Sequence, residues 1–110
     1  MPGESASIRV ALTTVASFDK GRRMARVLVE RRLAACVNLV PNLTSVYRWQ
    51  GAVEEAEEVL LVMKTTEAQL AALEAAVREL HSYELPEFLA LRVEAASLPY
   101  LEWLLGSVEQ

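Results

Sequence analysis

Two long β-prone segments that meet at Gln50-Gly51 constrain the fold of this chain more than any other feature. The first runs from Cys36 to Trp49 and the second from Ala52 to Lys64. Pro41-Asn42 interrupts the first segment, which favours an edge strand or a bulge at that point. Each arm of the predicted hairpin has about 13 residues and spans about 40 Å, whereas a typical strand has about 5–6 residues. Arms of this length overhang the core of a 110-residue domain, so we expect something else to cover them.

The segments on either side of the hairpin alternate between strand and helix patterns. Period-2 alternation predicts strands, and apolar residues three or four positions apart predict helices. These patterns predict a strand at Ile8–Leu12, a helix from Phe18 to about Leu33 with Ser17 as N-cap, a helix that starts at a Thr66–Gln69 capping box and reaches Leu80, a last core strand at Phe88–Val93 and a helix at Ser97–Leu105. The order is β-α-β-β-α-β plus a terminal helix, the ferredoxin-like split βαβ sandwich of the α+β class. It occupies residues 1–110 as a single domain.

Composition favours a soluble protein without nucleic-acid or membrane partners. Of the residues, 53% are apolar, and the net charge of −4 gives no overall attraction to nucleic acid or to an anionic membrane. No apolar run approaches the roughly 20 residues that span a bilayer, and Met1 to Ser7 lacks the features of a secretory signal. Cys36 is the single cysteine, so no internal disulfide can form, which fits a cytoplasmic location.

The chain offers few groups for catalysis. It has one His and one Cys, scattered glycines and no CxxC or HxxxH spacing. A catalytic triad, a phosphate-binding loop and a preformed zinc site each need more than this. We therefore expect a protein that is not an enzyme.

Glu79 to Glu87 holds the densest set of functional groups, with an imidazole, a phenol and carboxylates in a loop between a helix and a strand. His81 fits two roles equally: a cap at the C-terminal end of the second helix, where the helix dipole favours a cation, or a metal ligand. Cys36 likewise fits either a small buried hydrophobe or a ligand for a soft metal such as copper.

Aromatic residues on the hairpin and the terminal helix predict an interface. Tyr47 and Trp49 lie on one face of the hairpin, and Tyr100 and Trp103 are three apart on the terminal helix. Aromatic residues are enriched in protein contacts. A nucleic-acid stacking surface would need a basic groove, whereas the returning strand carries four Glu residues between positions 54 and 58.

Five segments in register closely resemble the CutA divalent-cation tolerance family. They are Ala25–Pro41, Ser45–Gly51, Glu58–Thr65, Glu79–Glu87 and Tyr100–Trp103. The resemblance covers Ile8 to Leu105, with Ser82 in place of a proline that is usual in the family.

The resemblance implies a tight homotrimer of PII-like architecture with exchanged hairpins, no established catalytic activity and an association with copper and other divalent cations. No cofactor is obligatory; Cu²⁺ or another divalent cation is the expected ligand. By position it implies metal ligands at Cys36, His81 and Glu84. An inter-subunit cleft or interface is expected at Tyr47, Trp49, Lys64, Tyr83 and Trp103. The alternative is a PII-like sensor that binds a small anion or metabolite in the cleft without catalysis.

Overall fold

The structure is a computed structural model that describes residues 7–108. The prediction that no secretory signal is present concerns Met1 to Ser7 and lies almost wholly outside these residues. The elements are β1 (Ile8–Val15), α1 (Phe18–Glu30), β2 (Cys36–Trp49), β3 (Ala52–Thr66), a 3₁₀ turn (Glu67–Gln69), α2 (Leu70–Leu80), β4 (Leu89–Arg92) and α3 (Leu98–Ser107). Four antiparallel strands form one sheet in the order β2-β3-β1-β4. The predicted α+β, ferredoxin-like fold is confirmed.

The long hairpin is present and extends well beyond the sheet. Gln50 and Gly51 have φ angles of 49° and 84°, and the two positive values fit a type I′ turn between Trp49 and Ala52. A register shift between Val40 and Leu43 confirms the predicted bulge. β3 pairs with β1 only from Val59 onward, so residues 52–58 overhang by about 23 Å.

One core lies between the sheet and the helices α1 and α2. Its fully buried members include Leu28, Leu61, Met63, Leu73 and Val77. Alternate residues of β1 and β3 point to this side, and the predicted stripe of α2 supplies Leu73 and Val77. Ser17 caps α1 as predicted, because its Oγ accepts a hydrogen bond from the backbone N–H of Lys20 at 3.2 Å.

The other side of the sheet is covered only at one end. There α3 packs Leu101 and Leu104 against Ile8 and Ala35 in a second, smaller core. The rest of this side carries apolar residues that no helix of residues 7–108 covers. We call it the open face; it comprises Val10, Leu12, Val40, Leu60, Val62, Leu89 and Leu91. Leu89 and Leu91 are 57% and 54% exposed.

The first helix ends three residues before the predicted boundary. Arg32 adopts a left-handed conformation with φ 61°. Its N–H donates to the Val29 carbonyl, and the N–H of Leu33 donates to the Leu28 carbonyl, both at 3.0 Å. This pair of bonds is a Schellman motif, which terminates the helix and turns Leu33 back toward the core.

The predicted capping box at Thr66 is wrong, because Thr66 makes no side-chain cap hydrogen bond and α2 begins only at Leu70. The first backbone N–H of the turn, that of Glu67, instead donates to the Ser7 carbonyl at 2.6 Å. Thr66 continues β3, opposite Ile8.

The prediction of a last core strand is also wrong in its burial. β4 has four residues, and all of them are exposed. The strand lies at the sheet edge with β1 as its one neighbour, and its two leucines belong to the open face. Phe88, just before β4, packs against the first core.

Candidate functional site

The loop after α2 is held to β1 by His81. His81 is the C-cap of α2, with extended φ and ψ of −81° and 145°. Its Nε2 lies 2.7 Å from the Thr14 carbonyl oxygen, and its Nδ1 accepts a hydrogen bond from the backbone N–H of Tyr83 at 3.1 Å. Because Nδ1 accepts, the ring proton is on Nε2, which donates to Thr14. The imidazole therefore has one neutral tautomer with both nitrogens engaged.

Tyr83 connects this loop to the base of the hairpin. Its hydroxyl donates to Oε2 of Glu58 at 2.6 Å, and its ring contacts that of His81 with centroids 4.6 Å apart. Burial raises the pKa of Tyr83 above its ordinary value, and the hydrogen bond and the charge of Glu58 raise this pKa further, with a smaller contribution from Tyr47. The phenol therefore keeps its proton over the physiological range and acts as a donor to Glu58.

Glu58 is the residue of this site that sequence reasoning missed. It is one of the four glutamates of the returning strand, whose charge pattern predicts only that the strand repels phosphate. In the structure it is 9% exposed. The period of two along β3 could have indicated that Glu58 is buried. It places Glu58 on the same side as Leu60 and Val62, next to the buried run that starts at Val59.

Glu84 lies on the outer side of the same loop, where it is exposed. It lines an open cavity of about 460 Å³ beside the last turn of α2. The other lining residues are Ala75, Arg78, Glu79, Tyr83 and Pro86. Glu79 also faces Arg31 of the α1 C-terminus, with Oε1 and Nη1 3.8 Å apart. One cation and two carboxylates therefore meet in this cavity.

Cys36 and His81 occupy different ends of the sheet. Cys36 is half-buried at the start of β2 and pairs with Lys64, which in turn pairs with Val10. His81 contacts Thr14, four residues further along β1, or about 13 Å at strand rise. No three His, Cys, Asp or Glu side chains in residues 7–108 lie close enough to hold one metal ion.

The aromatic residues predicted at an interface are accessible in the single chain. Tyr47 and Trp103 are 40% and 48% exposed, and Trp103 contacts Tyr100 with ring centroids 5.3 Å apart. Trp49 is half-buried at the last pair before the hairpin turn. Of these, Tyr47 acts electrostatically on Tyr83, so the hairpin contributes to the surroundings of the loop site.

Residues 9–107 match the profile of the CutA1 divalent ion tolerance protein family. The chain belongs to this family. The divalent-cation tolerance protein CutA of Thermus thermophilus is 50% identical over 95 residues, which cover 86% of this chain and 92% of that one. Human protein CutA is 45% identical over 98 residues, 89% of this chain and 55% of that one. The chain thus spans nearly the whole Thermus CutA and about half of the human one.

Solved CutA structures have the same fold. The Thermus thermophilus CutA1 structure superimposes with a TM-score of 0.90 at 47% identity, covering 93% of this chain and 99% of that one. CutA1 of Oryza sativa gives 0.93 at 40% identity, covering 97% and 98%. The predicted family and its ferredoxin-like, PII-like fold are confirmed. No helix of residues 7–108 is long and apolar enough to cross a membrane.

Proposed function

We propose that this CutA family member acts in divalent-cation tolerance as a homotrimer that binds a divalent cation between its subunits, with Cu²⁺ as the first candidate, and that it is not an enzyme. The family and the Thermus relative are named for divalent-cation tolerance, and neither name describes a reaction. The observation that carries the proposal is the uncovered apolar surface of the open face and the hairpin.

The open face and the overhanging hairpin are surfaces that a single chain leaves exposed. Leu89, Leu91 and Val40 are 57%, 54% and 41% exposed, and near the hairpin tip Val46 and Val53 are 64% and 66% exposed. Contiguous apolar surface of this kind is typical of an interaction site. A symmetric assembly of identical chains covers it with no other partner, because each copy supplies both a hairpin and an open face.

The separation of the candidate ligands favours a site between subunits over one within a chain. Cys36 offers a soft thiolate, His81 an imidazole and Glu84 a carboxylate, and thiolate and imidazole are good ligands for copper. Within one chain Cys36 and His81 are about 13 Å apart along β1, so a shared ion needs donors from two chains. His81 would have to exchange its Thr14 or Tyr83 hydrogen bond for the metal.

Calorimetric titration with Cu²⁺ tests the metal site. We expect the wild type to bind. We expect His81→Ala, Cys36→Ala and Glu84→Gln each to weaken binding by about tenfold or more, because even groups that only support a metal ligand contribute about that much to affinity. Glu87→Gln is the control, since it removes an exposed carboxylate of the same loop that is not among the proposed ligands. Isotherms of the three variants that match the wild type would remove these residues from any metal site.

A PII-like sensor is the second candidate, and the 460 Å³ cavity beside Arg78, Tyr83 and Glu84 favours it. Its size falls within the range of small-ligand pockets, and Arg78 suits an anionic group. Native mass spectrometry after incubation with a cell extract would detect a retained small molecule. Loss of that added mass in Arg78→Ala, and its retention in the exposed-helix variant Arg22→Ala, would support this function over simple metal binding.

The cytoplasmic location and the absence of nucleic-acid and membrane partners stay predictions. Relatives differ in location by name: the rice and Arabidopsis proteins are called chloroplastic, and the Archaeoglobus fulgidus structure is described as periplasmic.

A further inference from the structure

A second concavity lies in the helix layer, between α1 and the end of α2. We call it the α1–α2 groove. Its volume is about 270 Å³, and it is lined mainly by Met24, Val27, Leu80, Lys20, Arg23 and His81. It opens on the side of the sheet opposite the open face, and His81, one of the proposed metal ligands, forms one end of it. It is also separate from the cavity beside Glu84, whose lining shares no residue with it.

The groove combines an apolar floor with a cationic rim. Met24 is buried, and Val27 and Leu80 are half-buried, so each presents part of its side chain to the groove. Lys20 and Arg23 are both exposed and stand three residues apart on α1, which places them side by side on the helix surface. Arg23 is oriented by Asp19, with Nη2 and Oδ2 3.0 Å apart.

This rim lies in the most positive part of an acidic chain. Residues 17–32 contain six Lys or Arg and two acids, whereas the whole chain carries a net charge of −4. The charge is therefore segregated onto α1 and its C-terminal turn. Further along the helix Arg26 pairs with Glu30 at 3.7 Å and Arg31 faces Glu79 at 3.8 Å. Beside the groove, Lys20 and Arg23, together with Asp19 as the partner of Arg23, leave a net charge of +1.

The end wall of the groove is fixed and uncharged. His81 is held at both ring nitrogens by backbone groups of Thr14 and Tyr83, and its tautomer is neutral. Its ring therefore offers an apolar edge rather than a further polar contact. The volume lies just below the range of pockets for drug-sized ligands, which limits the occupant to a small molecule.

We propose that the α1–α2 groove binds small organic monocarboxylates that carry a short apolar tail. The carboxylate lies between Lys20 and Arg23, where it can accept two hydrogen bonds from the guanidinium and the ammonium acts as a point charge. The tail packs on Met24, Val27 and Leu80. This binding needs no second subunit and no metal ion, because the residues that contact the ligand belong to α1 and α2 of one chain.

The first test is an NMR titration of the metal-free, full-length protein with hexanoate, acetate and 1-hexanol. Hexanoate combines the charge with the tail, acetate has the charge alone and 1-hexanol the tail alone. We expect saturable shifts of the backbone amides that line the groove with millimolar hexanoate, and binding weaker by about tenfold for each of the other two probes. Absence of saturable shifts with hexanoate, or equal affinity for acetate or 1-hexanol, would overturn the proposal.

The second test compares two charge reversals on the same helix. Lys20→Glu removes a rim cation, and an acid near the start of a helix is favourable for folding, so we expect a folded protein with hexanoate affinity lowered about tenfold. Arg22→Glu makes the same change in net charge outside the groove lining. We expect it to change the affinity less than about twofold, because residues two apart on a helix do not face each other and Arg22 does not contact the groove. An equal loss in both variants would show general attraction to a basic helix and would overturn the site.

Discussion

At the scale of single residues, two threonines of the sheet differ in whether the hydroxyl is satisfied. Both are fully buried, at 0% exposure. The Oγ1 of Thr65 donates to the Leu33 carbonyl at 2.6 Å, whereas that of Thr13 finds no hydrogen-bond partner among residues 7–108. A buried hydroxyl without a partner costs about 1–3 kcal/mol of desolvation, and a satisfied one contributes about 1 kcal/mol.

Replacing each threonine by the nearly isosteric valine should therefore have opposite effects. We expect Thr13→Val to raise the free energy of unfolding by about 1 kcal/mol and Thr65→Val to lower it by about 1 kcal/mol or more, since the latter leaves the Leu33 carbonyl unpaired. Urea unfolding at one protein concentration measures both. A loss of stability in Thr13→Val would mean that its hydroxyl does have a partner in solution.

Tyr83 gives a prediction for alkaline pH. Its pKa is raised in the folded state, so the unfolded chain releases this proton first. The contribution of Tyr83 to the free energy of unfolding is therefore complete below about pH 10 and is lost as pH rises above that value. We expect Tyr83→Phe to be less stable than the wild type by about 2 kcal/mol at neutral pH, because the Glu58 carboxylate loses its donor, and to show less of the alkaline decline.

The tyrosinate absorbance difference between wild type and Tyr83→Phe isolates the titration of Tyr83. Its midpoint should lie above the ordinary value of about 10. Glu58→Gln is the matched control: the carboxamide can still accept the hydrogen bond but carries no charge, so the midpoint should move back toward the ordinary value. A midpoint at or below 10 in the wild type would contradict the buried Tyr83–Glu58 pair.

At the scale of elements, α1 lies so close to the sheet that a side chain at Gly21 would press against three apolar side chains. A Cβ at this position would lie 3.0 Å from Cγ2 of Val15, 3.1 Å from Cδ1 of Leu61 and 3.3 Å from Cδ2 of Leu39. In α3, a Cβ at Gly106 would meet nothing within 4 Å. Alanine is the better helix former by about 1 kcal/mol at either position.

We expect Gly106→Ala to raise the free energy of unfolding by up to about 1 kcal/mol. Gly21→Ala should lower it, because overpacking a core costs about 1–3 kcal/mol and exceeds the gain in helix propensity. Thermal unfolding of the two variants at equal concentration gives the comparison. Stabilisation by both changes would mean that α1 can move away from the sheet without loss.

The elements were predictable from the sequence where local pattern decides them. The hairpin, the place of its turn at Gln50-Gly51 and the stripe of α2 follow from alternation, a glycine and 3.6-residue spacing. The ends of two helices were less predictable. The Schellman motif is local, but its left-handed position is Arg32 instead of the glycine or asparagine that would indicate it. The bond from Glu67 to the Ser7 carbonyl depends on distant backbone, for which there is no local signal. For the same reason His81 could be placed at a helix end, whereas its contact with Thr14, 67 residues away in sequence, could not.

At the scale of the whole molecule, burial within one chain and burial in an assembly have to be distinguished. The apolar pattern of Phe88–Val93 predicts a core strand, but β4 is exposed in the single chain. An assembly that covers the open face would place Leu89 and Leu91 in an interior after all. The sequence pattern indicates which positions are apolar but not which chain covers them. The molecule measures 47 × 25 × 23 Å, and its length comes from a hairpin that its own core does not cover.

Charge placed on the open face should therefore separate the subunits without unfolding them. Leu91 is 54% exposed in the single chain, so Leu91→Glu is tolerated by the isolated fold, whereas an unpaired carboxylate buried between subunits costs several kcal/mol. Val29→Glu is the control, because it adds the same charge at a 40% exposed position on α1, on the opposite side of the sheet.

In light scattering we expect three times the 12.2 kDa chain mass for wild type and Val29→Glu, and a smaller species with unchanged circular dichroism for Leu91→Glu. A wild type of single-chain mass would refute the trimer, and a trimeric Leu91→Glu would show that the subunits meet elsewhere.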